Sequence, residues 1–566
     1  MNSLSRSNYR PFHYFFGIFP FAIIGIFYFI CSKYSINIPW FDDIENIPYF
    51  LIKWIEAPTL IEKWQAIIYP NNEHRVLTAR MIVLCQYLVT NQLNFKDLLF
   101  YGNLSVLILF GIIAYSFVRQ GGKWYLTVPV AFFIFNFQAY AGTFMTIMSM
   151  QYQMVILLSV ASFYFLAKQK TFPFFIAVFL AYVDTFSMGN GMMVWPSGLV
   201  LLLFQVRWRD AFLWSLLAAV SIYLYFHGFD FVQGNEKAFA YILEYPVRTF
   251  IAFFTMLGGD FDIFANVVFN RRMIVPTLTG FALFFIFVIW FLSILSASPF
   301  WGRFISSGMI RRIADFTNAA NMNSRWNAFW LGTLIYVFIS MVLVVVFRTR
   351  FDPNIILWST YKMYPAVLTS VIYIIVIQIF KDKYRFPAFL FFFLISAGAW
   401  ASTFINYLPI IEQTSDVRTA FAFNQRRNGV GLGAMKNSAF ETMIATTLLK
   451  VERMGIYSLP KPLIHAEEEQ ISLKNSSGIL FTKVNLKDAP GDNLIVQPVT
   501  KLAESGKSFA ILESKDNLYL FAMPLDNSGA MCPKATIRAG EYQIGVWTVS
   551  GNDTKVWSAN QKIQIE

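Results

Sequence analysis

Carboxylates, an imidazole and a guanidinium crowd one polar stretch of an otherwise apolar chain. Between residues 32 and 97 stand Asp42, Asp43, Glu45, Glu56, Glu62, Glu73, His74 and Arg75, beside Trp40, Trp54 and Trp64. Such a set can move a proton, one carboxylate serving as base while a second acid or a cation steadies the charge that develops. Successive residues on a helix diverge by about 100°. Asp42 and Asp43 therefore share one cavity only if the backbone is irregular there; otherwise one is the base and the other a structural or metal-facing partner. The plain alternative is a solvated loop whose tryptophans hold amphipathic helices at a membrane surface.

The elements that must position these residues are apolar runs. With 56% hydrophobic residues, 62 Phe and only 14% charged residues, the chain has too little polar surface for a soluble protein of 566 residues. A hydrocarbon core about 30 Å thick needs roughly 20 apolar residues per helix. Hydropathy predicts eleven spans, at 13–31, 98–118, 124–142, 147–167, 171–187, 190–206, 211–227, 276–297, 327–347, 363–380 and 386–405. Cations gather at every second crossing: Arg6 and Arg10, Arg119 and Lys123, Lys168 and Lys170, Arg207 and Arg209, Arg303, Arg311 and Arg312, then Lys381, Lys383 and Arg385. That side is cytoplasmic. The acidic loop 32–97, the loops 228–275 and 348–362, and everything after 406 then face outward. The first apolar run lacks a small-residue cleavage site and reads as a retained anchor.

The net charge of +12 is spread over the cytoplasmic connections with no basic patch interleaved with aromatics, so anionic lipid explains it and nucleic acid does not. Three cysteines and four histidines without ligand spacing make neither a disulfide framework nor a metal site, and no cofactor is assigned; a divalent metal stays open.

The chain divides into a membrane domain over 1–410, a helical linker or collar over 411–474, and a domain over 475–566 whose hydrophobic period is two. Segments such as Asn517–Phe521 and Glu541–Trp547, parted by turns at Pro490-Gly491-Asp492, Asn527-Ser528-Gly529 and Gly551-Asn552-Asp553, read as a small antiparallel β-sandwich. It offers no clustered acid, base and nucleophile and reads as accessory. Its Trp547, Trp557, Tyr519 and Tyr542 either stack on a sugar or fill the core, and the alternation of Tyr542, Ile544 and Val546 favours the core. The Gly429-Val430-Gly431-Leu432-Gly433 run lacks a preceding strand and a Lys-Ser/Thr partner, so it reads as a flexible link and not a phosphate loop.

Over roughly residues 10–460 the chain resembles bacterial membrane glycosyltransferases of the GT-C superfamily. The resemblance rests on the acidic pair Asp42-Asp43 and on Glu73 as a second acidic position in the first outer loop. An uncharacterised subgroup is similar in the Asn71 to Arg75 stretch, in Asn190-Gly191 followed by Trp195-Pro196, and in Arg350-Phe351. The resemblance implies inverting transfer of a sugar from a polyprenyl-phosphate donor to a glycan, lipid or protein acceptor, on the outer face of a bacterial inner (plasma) membrane. Asp42 or Asp43 is then the base, with Glu73 as a further catalytic acid. His74, Arg75, Arg348, Arg350 and Lys362 are candidates to bind substrate, the last three by clamping phosphate. Hydrogen-bonded interfacial packing of His74 and snorkelling of the loop cations are the alternatives.

Asp184, near the end of the fifth span, is expected to face a cavity or a partner. Asn190-Gly191 is expected to start the sixth span, and Asp260-x-Asp262 with Arg271-Arg272 either meets an acceptor or pairs internally. Two other classes compete: an O-antigen-type polymerase or ligase, which relies on outer arginines, and a transporter or flippase, for which neither a half-repeat nor mid-span charges are visible.

Overall fold

The computed structural model describes residues 10–566 except 72–73, 230–235, 266, 306–307, 309–311, 313–323, 474–478, 482–483, 490–491, 500–505, 525 and 527. Glu73, Arg6, Arg311, Pro490, Gly491 and Asn527 lie outside the described residues. The chain forms two compact units, one of Met1–Lys33, Trp64–Ile82 and Leu99–Tyr407, the other of Tyr34–Lys63, Val83–Leu98 and Leu408–Glu566.

The first unit is helical. Among the described residues, eight stretches are long and apolar enough to cross a membrane: Tyr14–Tyr34, Phe95–Arg119, Trp124–Phe144, Thr146–Leu166, Trp208–Phe226, Phe269–Ala297, Arg325–Arg348 and, within Asp382–Asn428, the apolar helix Asp382–Asn406. They coincide with eight of the eleven expected spans. The other three fall on the shorter apolar helices Thr171–Thr185, Gly189–Phe204 and Met363–Ile379. At 1.5 Å per residue a helix of 15 residues is roughly 22 Å long, less than the ~30 Å hydrocarbon core.

The stretch Trp124–Phe144 is not one helix, because it breaks after Ile134 and resumes through the short turn Phe137–Ala139. Irregular backbone survives at membrane depth only when protein surrounds it, and almost all of this segment is buried. The break turns Asn136 and Gln138 inward onto the loop around Asp260. Pro246–Leu257 lies tightly on Ile274–Ala297: a Cβ on Gly258 would sit 2.0 Å from the Pro276 carbonyl oxygen, and one on Gly280 1.8 Å from that of Phe254. Small residues let two backbones approach this closely.

The second unit holds the β-structure predicted for the C-terminal region. Its strands are β1 (Ile479–Phe481), β2 (Val484–Ala489), β3 (Asn493–Pro498), β4 (Lys507–Glu513), β5 (Leu518–Ala522), β6 (Ala530–Pro533), β7 (Gly540–Ser550) and β8 (Asp553–Ile565). They form a five-stranded sheet, β1-β8-β7-β4-β5, and a three-stranded sheet, β2-β3-β6. One pairing departs from the antiparallel expectation, since β1 runs parallel to β8. Tyr519, Tyr542 and Trp547 are buried among aliphatic residues and Trp557 packs against them, so the aromatics fill the core.

The expected boundary between collar and sandwich does not divide the packing. The helix Leu408–Asn428 contributes Ala420, Phe421 and Phe423 to the same cores as the strands. Its Asn424 donates to the Leu520 carbonyl and accepts from the Leu520 N–H at 2.9 and 2.8 Å, and Asn428 does the same with Leu518 at 2.7 and 3.0 Å. Four helical residues rise about 6 Å and two strand residues about 6.7 Å, so two amides a turn apart can satisfy the outer edge of β5 as a neighbouring strand would. The two ends of the acidic loop, Tyr34–Lys63 and Val83–Leu98, also belong here. Ile38 and Ile44 pack with Ala422, Leu432, Ala434 and Ile444, and Phe95 meets Tyr457 edge-on at 5.0 Å.

Candidate functional site

In the second unit the acidic pair is parted in the way helical geometry requires. Asp43 is buried; its Oδ2 accepts the Trp40 N–H at 2.9 Å, and the buried Arg418 lies in the field of its carboxylate. Asp42 is half-buried, its carboxylate makes no hydrogen bond or ion pair to a described residue, and burial raises its pKa above the usual carboxylate value. A carboxylate with heightened proton affinity and an open side is suited to accept a proton near neutral pH. The two aspartates thus differ in surroundings: Asp43 is committed to the Trp40 N–H and Arg418, whereas Asp42 is not.

Backbone irregularity surrounds the pair. Phe41 has φ 49°, and the turn Asp42–Ile44 passes directly into a π-helix, Glu45–Tyr49, that contains Pro48. Wide turns of this kind redirect the side chains that precede them. Phe41 is held by donating its N–H to the Leu432 carbonyl at 3.1 Å, and a Cβ on Gly433 would lie 2.7 Å from its ring. The glycine run is therefore no flexible link. Gly429, Leu432 and Gly433 have positive φ, Val430 and Leu432 are fully buried, and a Cβ on Gly431 would meet the Phe421 carbonyl oxygen at 2.2 Å. It is the bed on which Phe41 rests, next to Asp42 in the chain. Three glycines in five residues were the available sequence signal.

In the first unit a cavity of about 390 Å³ gathers His74, Asn190, Arg348, Tyr152, Tyr361 and Tyr364 at polar points between apolar walls of Met192, Leu343, Val344 and Phe347. His74 is set by a tight turn in which Asn71 and His74 exchange backbone hydrogen bonds at 2.7 and 2.9 Å. Its neighbour Arg75 is not a substrate ligand. The guanidinium is buried and donates to the carbonyls of Ile68, Tyr225 and His227 at 2.5, 2.8 and 2.8 Å. Arg75 and Arg80, which donates to Ala66, Ile67 and Tyr69, close the C-terminal end of the helix Leu60–Ile68, where orphan carbonyls favour cations.

Asn190 opens a short 3-10 turn, Gly189–Met193, before the helix Val194–Phe204, so it both starts that helix and lines the cavity; its amide donates to the hydroxyls of Tyr364 and, at 3.4 Å, Tyr336. Gly191 must be glycine, because a Cβ would lie 2.1 Å from the Asp184 carbonyl oxygen. Asp184 itself is fully buried and accepts from the Ser159 hydroxyl at 2.5 Å. Burial raises the Tyr361 pKa, while the Arg348 guanidinium beside it pulls the other way.

Lys362 is withdrawn from the phosphate clamp. It is buried, donating to the Gly259 carbonyl at 2.8 Å and to Asp262 at 2.7 Å. Asp262 also accepts from Arg272 at 2.8 and 2.5 Å and from the Tyr407 hydroxyl at 3.0 Å, so Asp262 and Arg272 of the two motifs pair internally, while Asp260 accepts from Asn136. Arg350 lies with its guanidinium 4.5 Å from the centre of the Phe351 ring and does not line the cavity. Among the described residues no three His, Cys, Asp or Glu side chains converge as metal ligands would. Comparison with family models, curated proteins and solved structures gives no match.

Proposed function

We propose that this chain is a GT-C-like membrane glycosyltransferase that moves a sugar from a polyprenyl-phosphate donor to a glycan, lipid or protein acceptor at the outer face of a bacterial plasma membrane. The observation that carries the reading is the 390 Å³ cavity, where one guanidinium, an imidazole, an amide and the four phenols of Tyr152, Tyr225, Tyr361 and Tyr364 stand between apolar walls in a helical, membrane-type unit. A phosphate joined to an isoprenoid has the same division of character. In this reading the acceptor hydroxyl attacks the anomeric carbon and gives its proton to a carboxylate base, the role proposed for Asp42 on the geometry of its own unit alone. The bond from that carbon to the phosphate oxygen breaks with its electron pair on oxygen, and Arg348 offsets the charge on the departing polyprenyl phosphate.

The full-length protein in detergent, given a panel of polyprenyl-phosphate sugars with cell-envelope acceptors, is expected to release polyprenyl phosphate; no release from any of them would end the proposal. Arg348→Ala is expected to raise the donor KM by about 10- to 100-fold, the scale of a charge-assisted hydrogen bond, with thermal stability unchanged. An unaltered KM in a folded variant would return Arg348 to the role of an interfacial anchor. Eleven spans with the N-terminus in the cytoplasm place Glu566 outside, and a reporter fused there that works only in the cytoplasm would refute that topology.

A further inference from the structure

A second, larger cavity of about 760 Å³ lies in the first unit, away from the residues discussed so far. One wall is the helix Pro246–Leu257, continuing from Glu236–Glu244 through Tyr245; another is the segment around Pro353 and Ile356. Phe269 and Met273, which also line it, belong to the first turns of the span Phe269–Ala297. The groove therefore sits where a membrane helix begins, at the level of lipid headgroups. Apolar side chains around it are bare of protein: Leu243, Val247 and Phe250 on the two short helices, and Ile274 and Leu278 on the span, are all exposed. In a membrane only acyl chains cover such a face.

Its polar rim narrows the choice of lipid. Glu244 and Arg248 both line the groove; the Tyr245 hydroxyl hydrogen-bonds Glu244, and among the described residues no ion pair engages either charge. Arg248 lies 5.5 Å from the centre of the Tyr245 ring, between them in sequence. A headgroup bearing phosphate alone would be drawn to Arg248 and repelled by Glu244, whereas one carrying both a phosphate and an ammonium satisfies the two together. The wall is rigid as well: Thr255 and Thr277 share a hydrogen bond at 2.7 Å, and the Phe254 and Phe281 rings stack at 3.8 Å.

We propose that this groove binds an aminophospholipid, with the phosphate on Arg248, the ammonium on Glu244 and an acyl chain along Ile251, Met273 and Ile356. The inference rests on the membrane character of the chain and not on its enzymatic reading. The test uses the full-length protein, stripped of lipid in detergent and titrated with phosphatidylethanolamine or phosphatidylglycerol of identical acyl chains, the bound lipid being counted by native mass spectrometry. Phosphatidylethanolamine is expected to be retained about fivefold better, the scale of one exposed ion pair. Glu244→Gln should remove the preference, Glu244→Lys should invert it, and Arg248→Gln should weaken both lipids. Equal retention by the unaltered protein, a preference for phosphatidylglycerol, or a preference for phosphatidylethanolamine that survives Glu244→Lys would overturn the proposal. Both side chains are exposed, so their replacement leaves the fold intact.

Discussion

Replacing Asp42 by Asn is expected to lower sugar transfer by about 10²- to 10⁴-fold, the usual contribution of a general base, while leaving the protein folded. The amide keeps the shape of the carboxylate and removes its basicity, and no hydrogen bond of the native carboxylate to a described residue is lost. Asp43→Asn should behave differently. There the carboxylate faces the buried Arg418 and caps the Trp40 N–H, and removing one charge of a buried pair costs about 3–5 kcal/mol. Thermal unfolding and turnover of the two variants thus separate the roles: Asp42 should fail in turnover alone and Asp43 in stability first. Near-normal transfer by a folded Asp42→Asn protein would remove the base from the mechanism.

A second large effect is expected at Asp262. Burial raises the pKa of this carboxyl, but Lys362 and Arg272 outweigh burial and hold it at about 2. Asp262→Asn leaves Lys362 buried with its charge uncompensated and should destabilise the first unit by about 3–5 kcal/mol. Two residues earlier the balance is opposite. Burial pushes Asp260 up to about 8, against Lys362 and the Asn136 amide. The signs of the pH dependence follow. The depressed Asp262 pKa gives stability that is present above about pH 4 and lost as pH falls through about 2. The raised Asp260 pKa makes the fold prefer the neutral acid, so stability drains away as pH rises from about 4 to 8. Asp260→Asn should abolish that second slope and unfold later than the parent above pH 8. Melting curves of both variants between pH 4 and 9 check this, and an Asp260→Asn protein that melts earlier at pH 9 would show that the charged form is the one the fold needs.

Features that live on neighbouring residues were legible in the sequence. Leu- and Phe-rich runs mark the long apolar helices because hydropathy is additive along a helix, and Tyr542, Ile544 and Val546 mark a strand because side chains alternate. The short helices Thr171–Thr185, Gly189–Phe204 and Met363–Ile379 match their apolar runs but not the expected length, since composition does not reveal where a turn such as Gly189–Met193 consumes residues. Partnerships over long separations were out of reach. Lys362 and Asp262 are 100 residues apart, Arg75 and Tyr225 are 150 apart, and an exposed cation reads the same in one dimension as a committed one. Asp42 and Asp43 were found as a pair, and helical divergence foretold that they would part. Which of them was committed depended on Arg418 and on the 429–433 turn, where the positive φ of Gly429 and Gly433 and the close approaches of Gly431 and Gly433 appear only once the chain is folded.

The interleaving of the second unit bears on how this protein is made. Residues 34–63 and 83–98 leave the ribosome early, but Ala422, Leu432 and Ile444, which cover Ile38 and Ile44, come more than 300 residues later. At synthesis rates of roughly 5–20 residues per second the early segments wait about 15–60 s for their partners. Throughout that interval Asp43 has no arginine to face and Phe41 has no glycine bed. Assembly of the acidic turn is therefore among the last events of biogenesis, and a chain halted before its final 150 or so residues would carry the aspartates without the geometry that distinguishes them.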